Sequence, residues 1–116
     1  MTVTSGDCDI KEVPFSVTVA RPHGTQVVIS VAGEIDMTTS EDLKETFEEA
    51  LEPVPGRLVV DLERVEFCDS TGLATLVRIN DRCGSRGVGL SFLPSPTIRR
   101  LAQKTGLSTL LPLAGA

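Results

Sequence analysis

Hydrophobic and polar positions change their period several times along the chain. From Phe15 to Val19 apolar and polar residues alternate, and they do so again around Val27 to Val31, with Arg21-Pro22-His23-Gly24 between the two runs. Alternation predicts half-buried strands, and the Pro-Gly turn chemistry joins them as a β-hairpin. Glu34-Ile35-Asp36-Met37 then leads out of the sheet, and Leu43, Phe47, Ala50 and Leu51 recur at helical spacing. Thr38-Thr39-Ser40-Glu41 offers this helix a capping box, and Pro53-Val54-Pro55-Gly56 ends it. A β-branched run from Arg57 to Leu62 predicts a buried strand. Leu73, Leu76, Val77 and Asn80 return to helical spacing, in a helix that ends near Gly84. Val88 to Leu93 reads as a further strand. Ser95-Pro96-Thr97 opens a last helix, closed by Lys104-Thr105-Gly106, and Leu110-Leu111 offers a final edge strand.

The order β, β, α, β, α, β, α predicts an α/β fold whose strands pair in parallel through right-handed crossovers, behind an N-terminal hairpin. Residues 1–13 are polar and mixed, as flexible termini are, and 14–113 form one domain. A chain of 116 residues buries one real core but is too short for a catalytic domain plus a regulatory one.

Charge and composition narrow the function classes. The formal net charge is -5, and no basic cluster longer than Arg99-Arg100 interrupts the acidic balance. Nucleic-acid binding is disfavoured, because phosphate neutralisation needs clustered Lys and Arg and single strands need aromatic platforms. The chain has four Phe and no Trp or Tyr. No apolar run approaches the roughly 18 residues of a membrane span, and MTVTSGDCDI lacks the basic and apolar regions of a signal peptide. The expected location is cytoplasmic. Cys8, Cys68 and Cys83 are odd in number and have no C-x-x-C spacing, so they read as free thiols rather than as a disulfide framework or zinc ligands. The first helix carries an acidic face, Glu41, Asp42, Glu45, Glu48, Glu49 and Glu52, which reads as an ordinary solvated surface.

The candidate chemistry lies in Phe67-Cys68-Asp69-Ser70-Thr71-Gly72-Leu73, a polar turn between a strand-like and a helix-like run. Helix N-termini have unpartnered N–H groups and partial positive charge. Ser70 there suits capping, and it equally suits carrying a phosphate, since a helix N-terminus is a ready anion site. Nucleophilic catalysis is not supported. Only one histidine, His23 in a loop, is available as a base, and the G-x-S-x-G elbow is absent. No P-loop, dinucleotide turn or metal-ligand cluster is present. The chain reads as a non-enzyme.

Three ordered blocks resemble one family. VVDLERVEFCDSTGLATLV, Val59 to Val77, is similar to the signature of the STAS domain of bacterial anti-sigma factor antagonists, in which an Asp-Ser-x-Gly-Leu turn carries a regulatory phosphorylated serine. Val31-Ala32-Gly33-Glu34-Ile35-Asp36 resembles that family's Gly-Glu-Leu-Asp strand end, and Ile98 to Leu111 its closing helix and Gly-Leu turn. The resemblance runs from about Phe15 to about Leu113, nearly the whole chain. Thr71 departs from it where a second small residue is usual, and Cys68 where a larger apolar residue is common.

The resemblance implies a single STAS domain, a mixed but mostly parallel sheet with helices on one face as a βα superhelix. It implies that Ser70 is the phosphoacceptor, with Thr71 the second candidate. Asp69 becomes the capping and orienting carboxylate, and Gly72 the residue whose missing side chain lets a partner approach. Asp36, Ala74, Thr75 and Arg78 join them as the expected binding surface. The implied mechanism is partner switching. The unphosphorylated protein binds an anti-sigma factor that is also a serine kinase and so frees a sigma factor. Phosphorylation of Ser70 dissolves the complex, and a PP2C-type phosphatase restores the hydroxyl. ATP and magnesium belong to the kinase, and the chain itself needs no cofactor. The alternative is a STAS docking subunit of a membrane transport system, of the lipid ABC permease type, without regulatory phosphorylation.

Overall fold

The computed structural model describes residues 14–114. Two strands, β1 (Ser16–Ala20) and β2 (Gln26–Ile35), form the expected antiparallel hairpin, with Val17 opposite Val31 and Thr18 opposite Ser30. Helix α1 (Met37–Ala50) carries the chain to β3 (Arg57–Cys68), and α2 (Ser70–Arg86) carries it to β4 (Gly89–Pro94). Helix α3 (Pro96–Thr105) and a 3-10 turn, Leu107–Thr109, follow. The sheet order is β1-β2-β3-β4, with β3 parallel to both β2 and β4. Both crossovers step the same way across the sheet, so their common hand places α1 and α2 side by side on one face, where they pack together. Helix α3 packs along β3 and β4.

The core follows from this register. Val27 and Ile29 on β2, Leu58 and Val60 on β3 and Phe92 on β4 lie in paired rows and are buried, as are Leu43 and Phe47 of α1 and Leu76 and Ile79 of α2. Ile98 and Ala102 bury the inner side of α3. The helix ends follow local chemistry. Ser95 caps α3 by accepting from the Ile98 N–H (3.2 Å), with Pro96 in the first turn. Gly87 and Gly106 take the left-handed conformation that ends α2 and α3.

Three expectations are corrected. The third strand does not stop at Leu62 but continues to Cys68. Its register against β2 slips twice, between Ser30 and Ala32 and between Gly33 and Glu34, each time with an extra residue on β3. Buried positions therefore change from a spacing of two, Leu58-Val60-Leu62, to a spacing of three, Leu62-Val65-Cys68. The first helix is not capped at Thr38. Asp36 is the cap, accepting from the Thr38 and Thr39 N–H groups at 3.0 Å each, and the Thr39 hydroxyl closes the box by accepting from the Asp36 N–H at 2.9 Å. Asp36 has a carboxylate of the right length directly after the last buried strand position, Ile35, so the helix starts there. Leu110-Leu111 is not an edge strand either. The 3-10 turn occupies the preceding residues, and only a single parallel bridge, Phe92 to Leu113, extends the sheet. The expected flexible segment 1–13 and Cys8 lie outside the described residues.

Candidate functional site

Paired strands β2 and β3 end together, and their exits build the site. Ile35 and Cys68 are register partners, and each is followed at once by an aspartate that caps the next helix, Asp36 for α1 and Asp69 for α2. The Asp69 N–H donates to the Ile35 carbonyl (3.1 Å), which ties the second cap to the end of β2. The Asp69 carboxylate accepts from the Gly72 N–H at 3.0 Å, while its carbonyl accepts the first helical bond from the Leu73 N–H, also at 3.0 Å. Asp69 therefore fills the capping role, and Ser70 is left as the first residue of α2. The Ser70 side chain is exposed, and its hydroxyl has no hydrogen-bond partner among the described residues. Thr71, beside it, is half-buried.

The expected binding surface is only partly assembled. Ala74 and Arg78 are exposed on α2. With Thr71, Ser40, Glu41 and Lys44 they border a cleft of about 220 Å³ between the two helices. Thr75 lines the same cleft but is nearly covered there. It is 6% exposed, and its hydroxyl donates to the Thr71 carbonyl (3.1 Å), which satisfies the polar group inside the helix pair. Asp36 is half-buried, and its carboxylate is engaged by the cap. The Thr39 backbone N–H, with the Thr39 hydroxyl and the Thr38 N–H, holds that carboxyl below its ordinary range.

Gly72 needs a different explanation from the one the sequence suggested. It is buried, not open to a partner. A Cβ there would stand 2.6 Å from Cys68 Sγ, 2.8 Å from Ile35 Cγ2 and 2.8 Å from the Ile35 carbonyl oxygen. The first turn of α2 lies too close to the end of β2 for any side chain, so glycine is required by the fold itself. Cys68 fills the small space left beneath that turn. Burial, reinforced by the Asp69 carboxylate, pushes its thiol up to about 12, so it stays protonated and inert at neutral pH. Cys83 is also buried, and its thiol is pushed up to about 11 by the same cause.

Two exposed apolar side chains have no local signal in the sequence. Met37, directly after the first cap, and Phe67, two residues before the second, are large apolar side chains left in solvent. Phe67 betrays itself only once the register slips in β3 are known, since ordinary alternation does not fix its phase. The acidic face of α1 is also less free than its sequence suggests. Arg82 of α2 grips Glu48 with two bonds, Nε to Oε2 at 3.1 Å and Nη2 to Oε1 at 2.8 Å, and holds that carboxyl below its ordinary range. Arg86 reaches Glu52 at 3.4 Å. Among the described residues no group of three or more His, Cys, Asp or Glu side chains converges as metal ligands do, and no helix is long and apolar enough to cross a membrane.

The family model described as "Mlab, STAS domain" matches residues 19–112. The anti-sigma-F factor antagonist RsfB of Mycobacterium tuberculosis is 39% identical over 72 residues, covering 61% of this chain; the chain spans 59% of that relative's length. The crystal structure of an anti-sigma factor antagonist from Mycobacterium paratuberculosis superposes with a TM-score of 0.79 at 33% identity, over 89% of this chain and 87% of that one. The anti-sigma factor antagonist SpoIIAA in its unphosphorylated form shares the fold, with a TM-score of 0.70 at 24% identity over 85% of this chain and 88% of that one. On this match over most of its length, the chain belongs to the STAS-domain family of anti-sigma factor antagonists.

Proposed function

We propose that the protein is a phosphorylation-controlled anti-sigma factor antagonist that uses Ser70 as its switch. The observation that carries this reading is the Ser70 hydroxyl, exposed at the first position of α2 and without a hydrogen-bond partner among the described residues, while Asp69 takes over the cap. A phosphoacceptor needs an accessible oxygen on a rigid support, and loss of its hydrogen must leave the fold untouched. Ser70 meets both conditions.

In this reading the unphosphorylated face around Ser70 docks onto an anti-sigma factor that is also a serine kinase and so releases a sigma factor. The kinase brings ATP and magnesium to the Ser70 hydroxyl, and the γ-phosphoryl group passes to Ser70 Oγ as ADP leaves. The phosphate adds about -1.5 to -2 charges at pH 7 and a strongly hydrated group that an interface must desolvate. It also faces the remaining phosphates of the nucleotide that delivered it. A loss of about 3 kcal/mol lowers affinity more than a hundredfold, enough to release the partner without refolding the domain. A PP2C-type phosphatase resets the switch by hydrolysis. Thr71 is the second candidate acceptor, but it is less exposed.

The test is incubation of the chain with anti-sigma factor kinases and ATP, followed by mapping of phosphate by mass spectrometry. Phosphate on Ser70 and none in Ser70→Ala is the expected result. Undiminished incorporation in Ser70→Ala overturns the assignment. A second reading, a STAS docking subunit of a membrane transport system, is favoured by one observation: the matched family model is described as Mlab and not as an antagonist. Co-purification with a permease or its ATPase in place of a small kinase decides for it.

A further inference from the structure

We infer that Met37 and Phe67 are the apolar anchors of the docking face, and that the anti-sigma kinase receives them in an apolar recess bordered by a cation. This inference rests on the reading of Ser70 given above and names the partner chemistry of that same face.

Five large apolar side chains stand exposed among the described residues. Val19 lies on β1, Val54 in the connection between α1 and β3, and Leu110 beyond α3, each in a different part of the fold. Singly scattered apolar residues of this kind need no explanation. Met37 and Phe67 differ because both lie at the exits of the paired strands. Met37 is two residues beyond Ile35, as Ser70 is two residues beyond its register partner Cys68, so Met37 and Ser70 hold equivalent first positions on adjacent helices. Phe67 precedes Cys68 directly and is paired across the ladder with Glu34.

Neither side chain belongs to the buried core or packs against it. Met37 is 72% exposed at a helix position where acidic residues interact better with the dipole. Phe67, 48% exposed, sits in a strand whose Leu58, Val60, Leu62 and Val65 are buried. Flexible Met and broad aromatic side chains are the types that supply contact area in protein interfaces. The charges around them define the occupant further. Glu34 beside Phe67 and Glu66 before it are exposed carboxylates, so the recess complementary to this surface carries a cationic side chain at its border. The switch and the anchors are thereby separate: Ser70 meets the nucleotide, while Met37 and Phe67 hold the chain to the protein.

The experiment uses the full chain and a purified anti-sigma factor serine kinase that phosphorylates it on Ser70. Met37→Ser and Phe67→Thr are each expected to weaken binding at least tenfold in calorimetry. They are also expected to raise KM for phosphorylation of Ser70 with kcat unchanged, whereas Val19→Thr stays within twofold of the unsubstituted protein. Met37→Ser lies at an exposed position and leaves thermal unfolding unaltered, so the inference stays testable even where Phe67→Thr unfolds. Normal binding and KM in Met37→Ser, with Ser70→Glu still releasing the kinase, overturns the anchors and leaves the Ser70 switch standing. Failure of every such kinase to phosphorylate Ser70 overturns the switch reading and the anchors with it.

Discussion

The Asp69 backbone N–H donates to the Ile35 carbonyl across 3.1 Å, so the cap that presents Ser70 hangs from the neighbouring strand and not from its own loop. The consequence is mechanical. The first turn of α2 is fixed against β2 from two sides, by this bond and by the packing of Gly72 on Ile35 and Cys68. A hydroxyl on that turn is held in place while remaining fully available to a partner.

Gly72→Ala is expected to destabilise the fold, because its Cβ would meet the Ile35 carbonyl oxygen at 2.8 Å, a backbone atom that cannot turn aside. Overpacking of this kind costs about 1–3 kcal/mol. Urea unfolding followed by circular dichroism reads the effect. Stability equal to that of the unsubstituted protein would remove the packing explanation and restore the idea that Gly72 serves a partner.

Asp69→Ala and Ser70→Ala should separate capping from switching. Loss of the Asp69 cap is expected to cost about 1 kcal/mol, the usual value for an N-cap carboxylate. Ser70→Ala should remain within about 0.5 kcal/mol, as substitutions at exposed positions do. The reverse order in thermal or urea unfolding would mean that Ser70, not Asp69, holds the helix end.

Ser70→Glu should bind the anti-sigma kinase less tightly than Ser70→Ala. A carboxylate brings about one negative charge where a phosphate brings nearly two, so its effect has the same sign and a smaller size. Calorimetry at matched salt is the measurement, because exposed charges are screened. Equal affinities would show that charge at Ser70 is not the switch.

Acid should weaken the protein through Asp36 and Glu48. Both carboxyls are held below their ordinary values of 3.8 and 4.5, the first by the cap N–H groups and hydroxyl around it, the second by Arg82. A depressed folded-state value means that the stabilisation is present above the ordinary value and is lost as pH falls through the folded one. Asp36→Asn, which keeps an amide oxygen for the cap, and Glu48→Gln should each flatten the fall in stability below about pH 4.5. Unchanged acid curves in both variants would show that these contacts do not form in solution.

Cys68 and Cys83 should resist alkylation by iodoacetamide at pH 8 in the folded protein and react after unfolding. Their thiols are pushed up to about 12 and about 11 by burial, and the thiolate is the reactive species. Rapid native labelling of Cys68 would mean that the turn above it opens.

Local and near-neighbour chemistry determined what the sequence could determine alone. Alternation fixed the hairpin, helical spacing the first two helices and terminal signals the third, and the block around Asp69, Ser70 and Gly72 marked the candidate site, because each signal is carried by residues a few positions apart. What depended on contacts between distant segments was decided only in three dimensions. The two register slips against β2 extended β3 to Cys68, and no periodicity within β3 announces a bulge that its neighbour imposes. Thr75 lines the cleft between α1 and α2, and only the packing of those helices decided that so little of it is exposed. Gly72 looked like an opening for a partner and proved to be a contact with Ile35, from a strand that ends 37 residues earlier. The exposure of Met37 and Phe67 was decided in the same way. A side chain's apolarity is written in the sequence, whereas its exposure depends on which other segments arrive to cover it.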